Sequence, residues 1–220
     1  MKTLKLGLVG AAVLAASGFS QFAAAQVSAN FGATSNYLWR GASQSGDSAS
    51  VSGGIDYVDE SGFYAGTWVG SLGEGSGAEA DFYLGLGGEA GGFGYDVGYI
   101  YYNYPDLDDA DFGEVYVNGS VGDLSFGFAY TVNSQGSDPA AFVEGDMYVS
   151  AGYSFTLPNE FGLSLTVGQY MFENDGVEAD LDYTHVQADI SKGDFSFSVS
   201  KATDAIDDDV KFLVSWGTSF

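Results

Sequence analysis

A closed, antiparallel, membrane-spanning β-barrel of about twelve strands is the all-β fold class that this sequence predicts, and three observations predict it. From Val27 to Phe220, apolar residues recur at every second position in twelve successive runs, the period of a strand with one apolar face. The links between runs are alternately short and long without a skip, the pattern of a barrel with tight turns at one end and loops at the other. The chain carries 33 Gly, 15 Tyr and 17 Phe but only three Pro and no Cys. That composition suits strands with aromatic residues on one side and small residues on the other, and it gives no disulfides or thiolate metal sites.

The first run is Val27, Ala29, Phe31, Ala33, Tyr37 and Trp39, with Ser28, Asn30, Gly32, Thr34, Asn36 and Arg40 between them. On this parity Tyr37 and Trp39 face lipid, Trp39 in an interfacial aromatic girdle, and Arg40 faces inward near the outer mouth. The next runs are Ala49 to Tyr57, Phe63 to Val69, Ala78 to Leu86, Phe93 to Tyr101 and Val115 to Val121. Leu124 to Val132, Met147 to Phe155, Phe161 to Met171, Leu181 to Ile190, Phe195 to Val199 and Val210 to Phe220 complete the set. The parity slips between Tyr183 and Val186, which predicts a β-bulge there and leaves a range of ten to fourteen strands. The short links are 59–62, 88–92, 121–123, 158–160 and 191–194, and the long ones begin near 41, 71, 103, 133, 173 and 202. The short links are read as periplasmic and the long ones as extracellular. In lipid every backbone N–H and C=O needs an internal partner, so such strands close on themselves. A soluble β-sandwich or secreted adhesin would show a polar outward face, whereas nearly every run here has a fully apolar one.

At the N-terminus, Lys2 and Lys5 precede an apolar run from Leu6 to Ala16 and then Ala23, Ala24 and Ala25, the order of a secretory signal. Residues 1–25 are read as a cleaved signal and 26–220 as one barrel domain of the outer membrane. The apolar run is too short for a spanning helix. Its removal leaves four basic residues against thirty acidic ones, which excludes nucleic acid as a partner. The expected partners are outer-membrane lipid and lipopolysaccharide, the barrel-assembly machinery, and small hydrophilic solutes or cations. Trp216 and the terminal Phe220 carry the assembly signal, as the last residues of an alternating final strand.

SNYLWRGASQ, residues 35–44, and GGIDYVDESGFYAGTWVGS, residues 53–71, resemble the opening of the TorF-like outer-membrane porins, the Gram-negative barrel family of the former conserved-hypothetical Gcw_chp type. With the signal and terminal Phe, the resemblance spans the mature chain. It implies a barrel pore that passes small solutes, and it implies neither catalytic residues nor a settled substrate.

Gly91-Gly92-Phe93-Gly94-Tyr95-Asp96 matches one calcium β-roll repeat, but such repeats need stacked copies, and a turn feeding a strand is the better reading. His185 is the only histidine; the barrel phospholipases place their serine two residues later, where this chain has Gln187, and there is no GxSxG. No enzymatic activity and no cofactor are expected. Asp106, Asp108, Asp109, Asp111, Asp207, Asp208 and Asp209 are weak candidates for divalent-cation binding, and solvated loops are the preferred reading of them. Strand parity turns Arg40, Asp56, Glu79, Asp81, Asp96, Glu114, Asp146 and His185 inward as pore-lining candidates, together with Glu144, Asp180, Asp182 and Asp189. An acid-lined passage favours cations. Twelve strands and the inward aromatics Tyr64, Trp68, Tyr83, Tyr102, Tyr116, Tyr148 and Tyr170 predict a narrow pore. The alternative is a plugged, non-conducting barrel whose acidic loops bind divalent cations or a partner. For Arg40, an ion pair that braces the barrel is preferred to a residue that tunes selectivity.

Overall fold

A computed structural model describes residues 25–137, 141–203 and 208–220. The signal segment lies outside them except for Ala25, as does Asp207. Among the described residues twelve strands close into a barrel: β1 (Gln26–Thr34), β4 (Ser50–Val58), β5 (Phe63–Ser71), β6 (Ala78–Ala90), β7 (Phe93–Asn103), β8 (Phe112–Val121), β9 (Leu124–Ser134), β10 (Met147–Leu157), β11 (Phe161–Met171), β12 (Tyr183–Lys192), β13 (Phe195–Ala202) and β14 (Lys211–Ser219). Two short strands, β2 (Leu38–Trp39) and β3 (Ala42–Ser43), form a separate hairpin. Each barrel strand pairs antiparallel with its sequence neighbour, and β1 closes the ring by pairing on both sides, Gly32 with Ser52 of β4 and with Gly217 of β14.

The alternation in the sequence becomes the two faces of the wall. On β6, Phe82, Leu84 and Leu86 are exposed outward, while Glu79, Asp81 and Gly85 are buried inside. Val117, Phe126, Phe128, Leu165 and Val167 continue the outward apolar belt on β8, β9 and β11. Glycine and tyrosine abound for one reason. Inward tyrosines occupy the space over glycines of the next strand, and a Cβ on Gly66 would come within 2.5 Å of the Tyr83 ring, one on Gly85 within 2.2 Å of the Tyr64 hydroxyl, one on Gly98 within 2.4 Å of the Tyr116 hydroxyl.

One barrel end has tight connections, such as the two-residue turn of Gly91 (φ 63) and Gly92 (φ 82) between β6 and β7. Positive φ at both positions is the type I′ geometry that matches strand twist. The GGxGxD motif is this turn. Asp96 faces inward and accepts hydrogen bonds from Tyr64 and Asn118. The other end has the longer links, 35–49, 72–77, 104–111, 135–146, 172–182 and 203–210.

Two expectations are corrected here. The predicted bulge between Tyr183 and Val186 is absent: β12 pairs with β11 in continuous register from Tyr183 opposite Tyr170 to Ser191 opposite Gly162. Tyr183 broke the parity because it is buried inside with His185, not exposed to lipid. The irregularity lies instead at Gly113 and Glu114, opposite Asn133 and Thr131, where Val132 is the extra residue. Second, the first strand ends at Thr34. Tyr37 (4 % exposed) and Trp39 (6 % exposed) do not face lipid; both are buried within the barrel.

Candidate functional site

The fifteen residues between β1 and β4, Ser35 to Ala49, fold back into the lumen from the long-link end. The Ser35 N–H donates to the Val214 carbonyl (2.9 Å), and its Oγ accepts from the Val214 N–H (3.0 Å), fixing the point of departure on β14. Asn36 organises the base: its Nδ2 donates to Asp47 Oδ1 (2.7 Å), and its Oδ1 accepts from Ser43 Oγ (2.7 Å) and Ser45 Oγ (3.1 Å). Ser45, fully buried, also accepts the Tyr37 N–H (2.8 Å). Lys211 Nζ reaches Asp47 Oδ2 at 2.7 Å and pins this base to the wall. Leu38 pairs with Ser43 and Trp39 with Ala42, so Arg40 (φ 49) and Gly41 (φ 87) form the hairpin tip. An arginine held at positive φ costs roughly 1–2 kcal/mol, which its partners must offset.

Those partners are on the wall. Arg40 Nη1 and Nη2 donate to the two oxygens of Glu114 at 2.7 Å each, in a bidentate pair whose side chains are 11 % and 1 % exposed. Such fork-to-fork geometry is the strong form of an ion pair. Glu114 also accepts the hydroxyls of Tyr102 and Tyr170, each at 3.1 Å. The guanidinium lies 4.3 Å from the Trp39 ring centroid, 4.4 Å from Tyr148 and 5.3 Å from Tyr170. Trp39 touches Tyr102, Phe112, Phe142 and Tyr170 at centroid distances of 5.5 to 6.2 Å. Tyr37 packs on Trp68 at 5.4 Å and donates its hydroxyl to Glu79 Oε1 at 3.1 Å. Gly41 lies against His185, whose Nε2 is 2.8 Å from the Tyr148 hydroxyl. The inserted segment thus meets the wall from β5 round to β12, and with Phe142 and Phe172 it builds an aromatic plug across the long-link half of the lumen.

Below the plug the inner wall is polar. Asp56 accepts from Asn30 and Tyr83, Asp96 from Tyr64 and Asn118, and Asp189 from Gln187. Amide and phenol donors hold these carboxylates, and among the described residues no basic side chain pairs with them. Ion pairs among the described residues involve Arg40 inside the plug and Lys211 at its rim.

Of the eight inward candidates of the sequence, Glu79, Asp81, Asp96, Glu114 and His185 are buried inside the barrel, Asp56 is half-buried on its inner wall and Arg40 half-buried at the hairpin tip, whereas Asp146 is buried in the link 135–146 and not on a strand face. Asp146 accepts the N–H groups of Val143 and Glu173 and ties two links together. Glu144, Asp180 and Asp182, expected on inward strand faces, lie in the links 135–146 and 172–182 instead. Of the acidic loop candidates, Asp106, Asp108, Asp109, Asp208 and Asp209 are exposed, whereas Asp111 is buried and braces its loop through the Tyr104 N–H, Asn103 and Tyr101. Among the described residues no three His, Cys, Asp or Glu gather as a metal site. Trp216 faces outward against Phe31, and Phe220 is exposed beside it while pairing with the Ala29 backbone. Tyr37 and Trp39 as plug residues, and Phe112, Phe142 and Phe172 around them, escaped the sequence reading. The signal for the first two was length: a run from Val27 to Arg40 exceeds the ten or so residues of its neighbours.

A family model described as "Bacterial protein of unknown function (Gcw_chp)" matches residues 17–138. No curated protein matches the chain significantly. Among solved structures, the KdgM porin aligns with a TM-score of 0.56 at 9 % identity, over 88 % of this chain and 98 % of that one. The NanC porin aligns at 0.52 and 10 % identity, over 89 % and 99 %. A KdgM porin in complex with disordered oligogalacturonate aligns at 0.50 and 9 % identity, over 88 % and 97 %. At such identities the likeness is one of fold, and it is the fold of outer-membrane porins.

Proposed function

The chain belongs to the Gcw_chp family, and from that premise we propose that it is an outer-membrane, porin-like channel of the TorF-like type. It carries small hydrophilic solutes by passive diffusion with a weak preference for cations, and its own residues 35–49 obstruct it at rest. The observation that carries the reading is the lumen itself: a barrel of porin fold whose inner wall presents Asp56, Asp96 and Asp189, closed on one side by a segment held through polar and ionic contacts. A segment meant only to fill a barrel would be cheaper to build from apolar side chains, since a buried ion pair costs desolvation. Carboxylates in a confined aqueous passage attract cations and repel anions. A polyanion such as the oligogalacturonate bound to KdgM is therefore not the expected cargo here. Short links facing the periplasm, export by the signal segment, and assembly through the Trp216 and Phe220 strand complete the proposal.

The aromatic plug also favours a second reading, a non-conducting structural barrel whose acidic loops meet ions or a partner. Planar-bilayer recording of the refolded protein under a KCl gradient separates the two. The channel reading expects discrete openings with a reversal potential displaced toward the cation equilibrium value. An anion-selective reversal potential would refute the selectivity. Silence both in the native protein and in a variant with Arg40 replaced would leave the structural barrel.

A further inference from the structure

Buried carboxylates inside this barrel are answered by donors, with one exception. Glu114 has Arg40 and two tyrosines, Asp96 has Tyr64 and Asn118, and Asp146 has two backbone N–H groups. Glu79 and Asp81 stand two apart on the inward face of β6, each 1 % exposed. Glu79 Oε1 takes the Tyr37 hydroxyl, and the Tyr104 hydroxyl also reaches Glu79. Glu79 Oε2 and Asp81 Oδ1, however, are buried without a hydrogen-bond partner. The two carboxyl groups lie within hydrogen-bonding reach of each other. Two carboxylates cannot satisfy one another: a shared proton or a cation must stand between them, and a buried unpaired charge is among the costliest features of a protein interior.

We propose that Glu79 and Asp81 form a binding site for a single divalent cation of the calcium class, capped by Tyr37 from the inserted segment. The donors are all hard oxygens, and a charge of two balances two carboxylates. Carboxylates on one strand face with flanking phenols make an irregular shell, which Ca²⁺ tolerates and Mg²⁺, with its octahedral demand and retained waters, does not. Asp106 lies against Gly77, two residues before Glu79, so a carboxylate also stands at the approach from the long links. Because Tyr37 bonds Glu79, an ion here fastens the inserted segment to β6. The site concerns binding alone and stands whether or not ions cross the barrel.

Trp68 lies directly across from Asp81 in the β5–β6 register and packs on Tyr37, which supplies the test. Tb³⁺ titrated into the detergent-folded protein, with tryptophan excitation, should give saturable emission that Ca²⁺ displaces and equal Mg²⁺ does not. Glu79→Gln and Asp81→Asn should each weaken it at least tenfold, Trp68→Phe should dim it, and an Asp108→Asn/Asp109→Asn variant should leave it unchanged. Heat-modifiable gel mobility confirms folding, and if the carboxylate variants do not fold, the Trp68→Phe comparison locates the ion. Absence of saturable emission from the folded native protein would overturn the site and leave a shared proton between the two acids. Emission that survives both carboxylate substitutions, or that Trp68→Phe leaves undimmed, would overturn it as well.

Discussion

Replacing Arg40 with Gln removes the one cation inside the plug and leaves Glu114, 1 % exposed, with only the hydroxyls of Tyr102 and Tyr170. Two 2.7 Å charged hydrogen bonds and three cation–π contacts are lost together. Removing one partner of a buried pair costs about 3–5 kcal/mol, most of it the charge left behind. The wall does not bear that cost, because its twelve strands stay paired through their own backbone ladders. It falls on the seating of residues 35–49. At about 1.4 kcal/mol per factor of ten, the ratio of seated to unseated segment drops by roughly two to three and a half orders of magnitude. Bilayer recording should show that drop as a rise in open probability with the unit conductance of the barrel itself, and with greater cation preference.

The same latch can be read without current. The peptide bond after Arg40 is a trypsin site buried at the hairpin tip, so Glu114→Gln should expose it and speed cleavage between Arg40 and Gly41 by a comparable factor. The double variant, with neither charge buried, should reseat better than either single one. The reasoning is refuted if Arg40→Gln conducts and selects like the native protein, or if the double variant is as loose as the two single losses added. Unchanged selectivity with lower thermal stability would make Arg40 a brace and nothing more.

Trp39→Ala should also unseat the segment, since deleting a buried tryptophan costs about 3–5 kcal/mol; proteolysis of residues 35–49 should accelerate while heat-modifiable mobility persists. Gly41→Ala places a Cβ within 2.6 Å of the His185 Cβ at a φ of 87, so conductance should rise here too, and His185→Ala should partly relieve the clash. In the link before β12, Asp175 accepts the N–H groups of Leu181 (2.6 Å) and Asp182 (2.9 Å), which hold its carboxyl below the usual carboxylate range. A depressed folded-state pKa means the ordering is complete above the unfolded value near 3.9 and is lost as pH falls through the folded one. Amide exchange should therefore show Leu181 and Asp182 protected at pH 5 and freed in stronger acid, whereas Asp175→Ala should free them at every pH.

The wall was legible because lipid and lumen impose opposite demands on alternate residues, and that demand is written residue by residue. Phe82, Leu84 and Leu86 against Asp81, Tyr83 and Gly85 could hardly be read otherwise, and Gly91-Gly92 announces its own turn. The plug was not legible for the converse reason. Alternation is a property of extended chain, and Tyr37, Trp39 and Arg40 alternate equally well in a hairpin within the lumen as in a strand facing lipid. Which side of the wall they occupy depends on Glu114, Tyr170 and Phe142, which are 74, 130 and 102 positions from Arg40 in the sequence, and nothing local records such a partner. The same limit misplaced Tyr183, whose ring fits lipid or lumen. Charge is what resolves the ambiguity. An arginine that faced lipid at mid-depth would cost about 2–4 kcal/mol, and a lone arginine in a chain of thirty acids has to be near one of them. Read with the surplus length of the first run, Arg40 already required an internal acid, and the barrel meets that requirement by curling residues 35–49 inward. The scarcity of basic residues then acquires a physical sense. A single arginine in a carboxylate-lined interior has one best resting place, so the bidentate pair with Glu114 sets where the hairpin tip lies, and breaking it should release the segment.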